Sequence, residues 1–465
     1  MKSASMAILH DVKILMALAW PVIISRIAIL SLALVDTIMV GHYATQELAY
    51  LGIGLVPSAI CILFMIGMLL GTLFVVSRHY GAGEYKECGA VWWRSLPYGL
   101  GLGVIGMTIC LLGEQILLLA GQTPEIAEAG GRISSIIGYG LPLAAIHIST
   151  GYFLEGIKRV RPGMVIMLAA NLLNIVLNWV FVNGLYGMPE MGAEGSAWAT
   201  FGVRVLMVVS IMIYVWWMVD YEKYGVRQPP PNSWRAGQEN RRLGYASGLS
   251  IGIENTAFNS LSIIAGMLGT MALATHTISI NFFGLCFMFG LGVGTSTAVL
   301  VGNANGAKNW PLLQRLIWVG LGTQMFLMIV TAGLLSIFSQ QVARIYTDEP
   351  ELIVQVGGVL AYASLGILLD AGQSLMAQTL RARGDAWSPT LIHFFCFGLV
   401  MIPFSYVSAV HFERGVYGLF DGLILGTLLS FILGIWRNRV LNHRMRNVSM
   451  SEILSPETEI PDPVA

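Results

Sequence analysis

FMIGMLLGTLFVVSRHYGA, residues 64–82, and FGLGVGTSTAVLVGNANGA, residues 289–307, lie 225 positions apart and match at both ends and in the middle. In that single ungapped register Phe64 falls on Phe289, Gly67 on Gly292, Thr72 on Thr297, Val76 on Val301 and Gly81-Ala82 on Gly306-Ala307. The register extends outward to Gly41 and Gly266, Leu48 and Leu273, Ala49 and Ala274, Ile53 and Ile278, and Trp93 and Trp318. Apolar sequence of low complexity yields chance identities, but glycines and a tryptophan held in one register mark an internal repeat. The chain is therefore two related halves.

Each half must be read against its composition. Of 465 residues 55% are hydrophobic and only 11% charged, against roughly 25% charged in soluble domains. A soluble core cannot hide that much apolar surface, so the apolar runs are read as membrane spans. Twelve runs are long enough, near 14–40, 51–79, 93–120, 132–158, 163–185, 192–219, 244–271, 274–303, 311–339, 353–380, 386–412 and 415–436. A helix needs about 20 residues to cross a hydrocarbon core. The runs are continuous rather than short and alternating, which predicts helices and not a barrel.

The expected fold class is thus all-α and polytopic, with twelve transmembrane helices in two pseudo-symmetric six-helix lobes. Because six is even, both halves share one orientation and the repeat is parallel, about an axis along the membrane normal. The expected division is a first lobe over 1–219, a cytoplasmic linker over 220–243 containing Pro229-Pro230-Pro231, a second lobe over 244–440, and a disordered cytoplasmic tail over 441–465. Two lobes facing each other suit alternating access to a site near mid-membrane.

Net charge is zero, which implies no bulk attraction to nucleic acid. Distribution carries more. With the N-terminus placed in the cytoplasm, only Arg132, Arg344 and Arg414 of the 26 Lys and Arg fall at the opposite ends, and only Arg26 and Arg204 within helices. That bias predicts both termini on the cytoplasmic side of a cell (inner) membrane. The first apolar run contains Pro21 and Asp36 and reads as an uncleaved span. Five cysteines, mostly within spans, suggest neither a disulfide framework nor a metal cluster, and Asn447-Val448-Ser449 would be a glycosylation sequon on the wrong side.

A carboxylate at the bilayer centre costs roughly 2.5–3.5 kcal/mol on insertion scales, so one kept there normally faces a cavity and works. Three qualify: Asp36 in helix 1, Glu254 in helix 7 and Asp370 in helix 10. Taking such a group out of water favours its neutral form, which suits proton exchange; alternatively its oxygens take a small hard cation such as sodium. Asn171, Asn174 and Asn178 in helix 5 fall at i, i+3 and i+7, one stripe that either joins Asp36 or glues helices together. Asp421 lies near the outer end of helix 12, where a structural role is expected. Arg26 is about 15 Å along the helix from Asp36, so it should snorkel to the cytoplasmic surface. His147 and His276 read as hydrogen-bonded structural groups.

Two patterns lack their context. Gly101 to Gly106 fits the dinucleotide fingerprint but has no preceding strand, and Gly248-Leu249-Ser250-Ile251-Gly252 fits a nucleophile elbow but has no evident paired base. An intramembrane hydrolase is the enzyme alternative they leave; the expectation is that the chain is not an enzyme and needs no cofactor beyond a coupling ion.

From Ala17 to about Arg437 the chain resembles the multidrug and toxic compound extrusion (MATE) family, in its NorM-type bacterial branch. The resemblance rests on Pro21 with Val35-Asp36-Thr37-Ile38-Met39-Val40-Gly41, Arg161-Pro162 with Asn174-Ile175-Val176-Leu177-Asn178-Trp179, and Glu254-Asn255-Thr256-Ala257-Phe258. Ala274-Thr275-His276 with Asn281, Asp370-Ala371-Gly372-Gln373 and Leu380-Arg381-Ala382-Arg383-Gly384-Asp385 add to it. It implies a V of two lobes that exports organic, often cationic, compounds against sodium ions or protons. The working unit is expected, separately, to be the single chain. It also implies that Glu254 and Asp370 are cation-binding carboxylates, with sodium as one candidate ion, and that Asp36, Asn174 and Asn178 form the coupling network of the first lobe. Sodium-coupled members often carry a tyrosine one turn before the helix-10 aspartate, where this chain has Gly366. The rival reading is a dedicated exporter or flippase of one endogenous metabolite or lipid-linked precursor, which a strongly basic cavity would favour.

Overall fold

Tyr43 and Thr45 end and begin two long helices with only Ala44 between them, in extended conformation. The computed structural model describes residues 2–230 and 234–454, with side chains from Met6 to Met445. Pro231, Asn232 and Ser233 of the expected linker, and 455–465 of the expected tail, lie outside the described residues.

The first half comprises α1 (Lys2–Tyr43), α2 (Thr45–Ala82), α3 (Tyr85–Leu111), α4 (Pro124–Tyr139 and Leu141–Gly156), α5 (Arg161–Asn183) and α6 (Gly192–Trp217). The second comprises α7 (Gln238–Met267), α8 (Thr270–Gly306), α9 (Trp310–Ile337), α10 (Pro350–Ala382), α11 (Trp387–His411) and α12 (Val416–Leu454). Each expected span is therefore a helix. Ten are long and apolar enough to cross a membrane, or eleven with the two pieces of α4 counted as one. The remaining helix, α7, is 30 residues long, about 45 Å; Asn240, Arg241, Glu254, Asn255 and Asn259 hold its hydropathy down. The last helix runs on to Leu454, past the expected end near 436 and into the segment expected to be a disordered tail.

The irregularities have local causes. Alpha-4 bends by 42° between Tyr139 and Leu141, where Pro142, at the start of the second piece, supplies no N–H to the turn before it. Within α11 the backbone widens to π-helix over Phe394–Met401 and Val407–His411, on either side of Pro403. A proline removes one hydrogen bond and crowds the preceding turn, and a wider turn accommodates both. Alpha-2 ends at Gly83 with φ 79°, whose N–H reaches the carbonyls of His79 and Tyr80, a left-handed cap that suits glycine. Large apolar side chains such as Leu172 (68%), Ile263 (69%) and Ile337 (71%) point outward, as a lipid-facing surface requires.

The sequence repeat reappears as a two-fold axis between the lobes. Gly81 packs against the backbone of Asn303, and Gly306 against the backbone of Arg78; 303 and 78 are themselves 225 apart. Gly302 packs on Ser77, its own counterpart in the repeat, and Asn303 Nδ2 donates to the Ser77 carbonyl at 3.0 Å. Deeper in, Gly67 lies against Gly248 and Gly292 against Ile23, again counterparts. A Cβ on Gly67 would stand 2.6 Å from the Cα of Gly248, so the backbones meet only because neither position carries a side chain.

Polar contacts between lobes cluster at this seam. Arg315 Nε reaches Asp11 Oδ2 at 2.6 Å, Arg78 Nη1 reaches Glu239 Oε1 at 2.6 Å, and Thr72 bonds Asn240 at 3.4 Å. Among the described residues, no ion pair or hydrogen bond joins the lobes at the opposite end. The first part of the linker is docked rather than loose: Val226 and Tyr224 are buried, Trp93 Nε1 donates to the Val226 carbonyl at 2.7 Å, and Arg159 pairs with Asp220.

Candidate functional site

Asp36 sits on α1 one side-chain length from α5 and α6, and is 9% exposed. Asn174 and Asn178, one turn apart on α5, both donate their Nδ2 hydrogens to Asp36 Oδ1, at 3.0 and 2.8 Å. Thr200 Oγ1 on α6 donates to Oδ2 at 3.0 Å. The carboxylate is thus held by neutral donors alone, with no ion-pair partner among the described residues. The amide oxygens of Asn174 and Asn178 are buried and accept nothing. No group of three or more His, Cys, Asp or Glu gathers to hold a metal ion among the described residues, but a carboxylate with spare carbonyl and hydroxyl oxygens is the donor set that hard cations use.

The three-asparagine stripe divides. Asn171 donates to the carbonyls of Ala28 and Met167, both at 3.0 Å, and ties α5 to α1; only Asn174 and Asn178 join Asp36. Thr200 carries no local signal, because it reaches Asp36 across 164 positions of chain.

Asp36, Asn174 and Thr200 of this cluster line a cavity of about 410 Å³ inside the first lobe. Its walls are mostly aliphatic, with Met167 and Met207 among them, and its ionisable lining includes Arg26, Glu155, Arg159, Arg204 and His147 besides Asp36. The Arg26 side chain, expected to snorkel, meets a carboxylate in the last turn of the second piece of α4. Its Nη2 lies 3.5 Å from Glu155 Oε1 on α4, and both side chains are 17% exposed. Glu155 lay near the expected end of its span, and so drew no notice.

In the second lobe, Gln373 Nε2 on α10 donates to Glu254 Oε1 and Asp370 Oδ1, at 3.1 Å each. The two expected carboxylates are thus neighbours, bridged by one amide, with Asp370 buried and Glu254 partly open. The bridging nitrogen offers protons and no lone pair, so a cation between these carboxylates requires the amide to turn. Ser430 Oγ on α12 donates to Gln373 Oε1 at 3.4 Å.

Ser250 does have an imidazole beside it, contrary to expectation: its Oγ is 2.9 Å from His393 Nδ1. Glu254 Oε2 approaches the same nitrogen at 3.8 Å, while His393 Nε2 is buried without a partner. A hydrolytic triad needs serine and acid on opposite nitrogens of the ring; here both meet Nδ1. Asp421 has the structural role expected of it, accepting from Tyr362 at 2.5 Å and Ser408 at 2.6 Å and pairing with Arg414 at 3.0 Å. His276 likewise is a structural group, 3.2 Å from Ser262 Oγ.

The MatE family's sequence model matches residues 21–180 and 246–407, two blocks whose starts are again 225 apart. The chain belongs to the MatE family. Its members are membrane transporters, and this one is a multi-pass membrane protein of that kind. A probable multidrug resistance protein NorM of Caulobacter vibrioides is 33% identical over 443 residues, covering 95% of this chain and 94% of that one. The multidrug resistance protein PmpM of Pseudomonas aeruginosa is 28% identical, covering 91% and 90%. Among solved structures, a MATE in the bent conformation superposes with TM-score 0.86 at 21% identity, covering 95% of this chain and 97% of that one. An outward-facing multidrug resistance MATE family transporter gives 0.86 at 21%, covering 94% and 97%. The all-α, two-lobe MATE fold expected from the sequence is therefore the fold of this chain.

Proposed function

We propose that this chain is a cation-coupled antiporter that exports organic, amine-bearing compounds by alternating access of its two lobes. The observation that carries the reading is Asp36: a buried carboxylate on a cavity wall, held only by neutral donors beside two unfilled amide oxygens. Such a group binds either an incoming proton or sodium ion, or the amine of a substrate, and the two occupants compete. The multidrug resistance names of its relatives support small organic cargo.

Coupling needs differential affinity: the ion shifts the lobe equilibrium only by as much as it prefers one arrangement. Glu254 and Asp370, bridged by Gln373, form a second carboxylate site that the ion would fill in the other lobe. The Lys and Arg distribution supports placement in the cell inner membrane with both termini cytoplasmic, so that the lobe seam faces the cytoplasm and the unjoined end faces outward. Ion inflow then drives substrate out.

The test is ethidium efflux from vesicles holding the purified protein, under an imposed proton gradient and, separately, an imposed sodium gradient. Efflux driven by one of them, lost in Asp36→Asn, supports antiport and names the ion. Absence of efflux under both overturns it in favour of a dedicated exporter of one endogenous compound, a reading to which Arg26 and Arg204 in the cavity lend some weight.

A further inference from the structure

At the seam end of the molecule the first lobe gathers lysines that the fold leaves unanswered. Lys223 of the linker places its ammonium 3.9 Å from the centroid of the Tyr85 ring, and Lys158, between α4 and α5, places its own 5.5 Å from that of Tyr80. The two rings pack edge to face at 5.5 Å, and Tyr224 of the linker meets Tyr85 at 6.0 Å. Lys86, at the start of α3, lies alongside: a Cβ on Gly225 would stand 3.9 Å from its Cγ.

The carboxylates nearest in the chain are engaged elsewhere. Glu84 holds His79 at 2.6 Å, Glu87 faces Arg94 at 3.6 Å, Asp220 pairs with Arg159, and Glu222 accepts from Tyr221 at 3.1 Å. Among the described residues no carboxylate lies within ion-pair distance of Lys86, Lys158 or Lys223. Lys158 also holds a φ of 63°, where the matching turn two residues past α10 has Gly384 at 91°. A side chain kept in that region is kept at a conformational cost.

A ring face fixes an ammonium without consuming its hydrogens, which remain free to donate to an oxygen. Lys158 and Lys223 are thus held in place before any anion arrives, and less side-chain freedom is lost when one does. The level of the patch indicates which anion. Trp216 and Trp217 close α6 six or seven residues before Lys223, and Trp217 and Val219 are exposed. Tryptophans at the ends of spans sit among the lipid headgroups, where the abundant anion is a phosphodiester.

We propose that Lys86, Lys158 and Lys223, seated on Tyr80 and Tyr85, bind the headgroup of an anionic phospholipid. The lipid ties the linker to the first lobe, and the same stretch of linker supplies Asp220 to Arg159 in the cavity wall.

The test is native mass spectrometry of the purified full-length protein in detergent, offered equimolar phosphatidylglycerol and phosphatidylcholine. Phosphatidylglycerol should be retained about tenfold more, the worth of one charge-assisted hydrogen bond. The variant Lys86→Gln, Lys158→Gln, Lys223→Gln should lose that preference. A control with Lys13→Gln, Arg242→Gln and Lys308→Gln removes three exposed, unpaired charges from elsewhere in the chain and should keep it. Tyr85→Leu, which leaves every charge in place, should lose part of it. Equal retention of the two lipids, equal loss in the control and the lysine variant, or inorganic phosphate displacing the lipid overturns the site. Ethidium efflux plays no part in this measurement, so the export reading stands or falls separately.

Discussion

Removing the charges at the lobe seam should move the molecule between its two arrangements without touching either candidate site. In the variant Glu239→Gln with Arg315→Gln, two ion pairs disappear. The Arg78–Glu239 pair is half exposed on the Glu239 side (53%), and such pairs contribute about 0–1 kcal/mol. The Arg315–Asp11 pair is worth more, because Asp11 is only 7% exposed; its charge-assisted bond contributes about 1.5 kcal/mol at the low end. Together the seam loses about 2 kcal/mol, roughly a 30-fold change in the lobe equilibrium. From a second arrangement populated at about 1%, that yields about a quarter of the molecules.

The assay is the distance between spin labels at Tyr186 and Ile345, which are exposed in the α5–α6 and α9–α10 connections at the end away from the seam. A second, shorter distance should grow in when the seam pairs are removed. A distance distribution identical to that of the parent, in a variant that remains folded, refutes the assignment of the seam as the closed gate.

Other outcomes follow from the same geometry. Asp36→Asn should abolish gradient-driven efflux, and Thr200→Val, which removes one of three donors, should weaken it about tenfold; vesicle efflux distinguishes them. Gln373→Leu should leave Glu254 and Asp370 without their shared donor and cost more efflux than Ser430→Ala, which touches only the far side of that amide. Ser250→Ala should leave efflux within about twofold, because the serine bonds a ring nitrogen that is not arranged for hydrolysis; a complete loss would reopen the enzyme reading. Gly67→Val should prevent the lobes from docking, seen as loss of monodisperse protein in detergent chromatography.

The helices were legible because membrane spans are written in runs of apolar residues, and lipid forces each run to satisfy its own backbone. The repeat was legible because glycines at the lobe contact cannot drift without collision. Within the site, Asp36, Glu254 and Asp370 stood out because a charge in an apolar run is conspicuous, and Asn174 and Asn178 because one helical turn separates them. Thr200, Gln373 and His393 did not, since a neutral polar residue in a span has no mark of its own and its partner is more than a hundred positions away, or in the case of Gln373 bridges two elements. Glu155 as the partner of Arg26 was not legible, because distance along one helix excludes a pair within that helix and says nothing of a carboxylate on another. Helix α12 outlasts its apolar stretch because a polar continuation into water keeps its own hydrogen bonds, which hydropathy does not register.

The meeting of residue 77 with residue 302, and of 78 with 306 and 81 with 303, has the form of a contact between two copies of one object. In an ancestor with a single six-helix lobe, the same surface would have closed a dimer, and every change there would have appeared on both sides at once. Fusion into one chain lifts that bond. Arg78 now faces a partner that carries Asn303 in its place, and the two lobes are free to specialise, one around a roomy chamber with Asp36 and the other around a tight pair of acids.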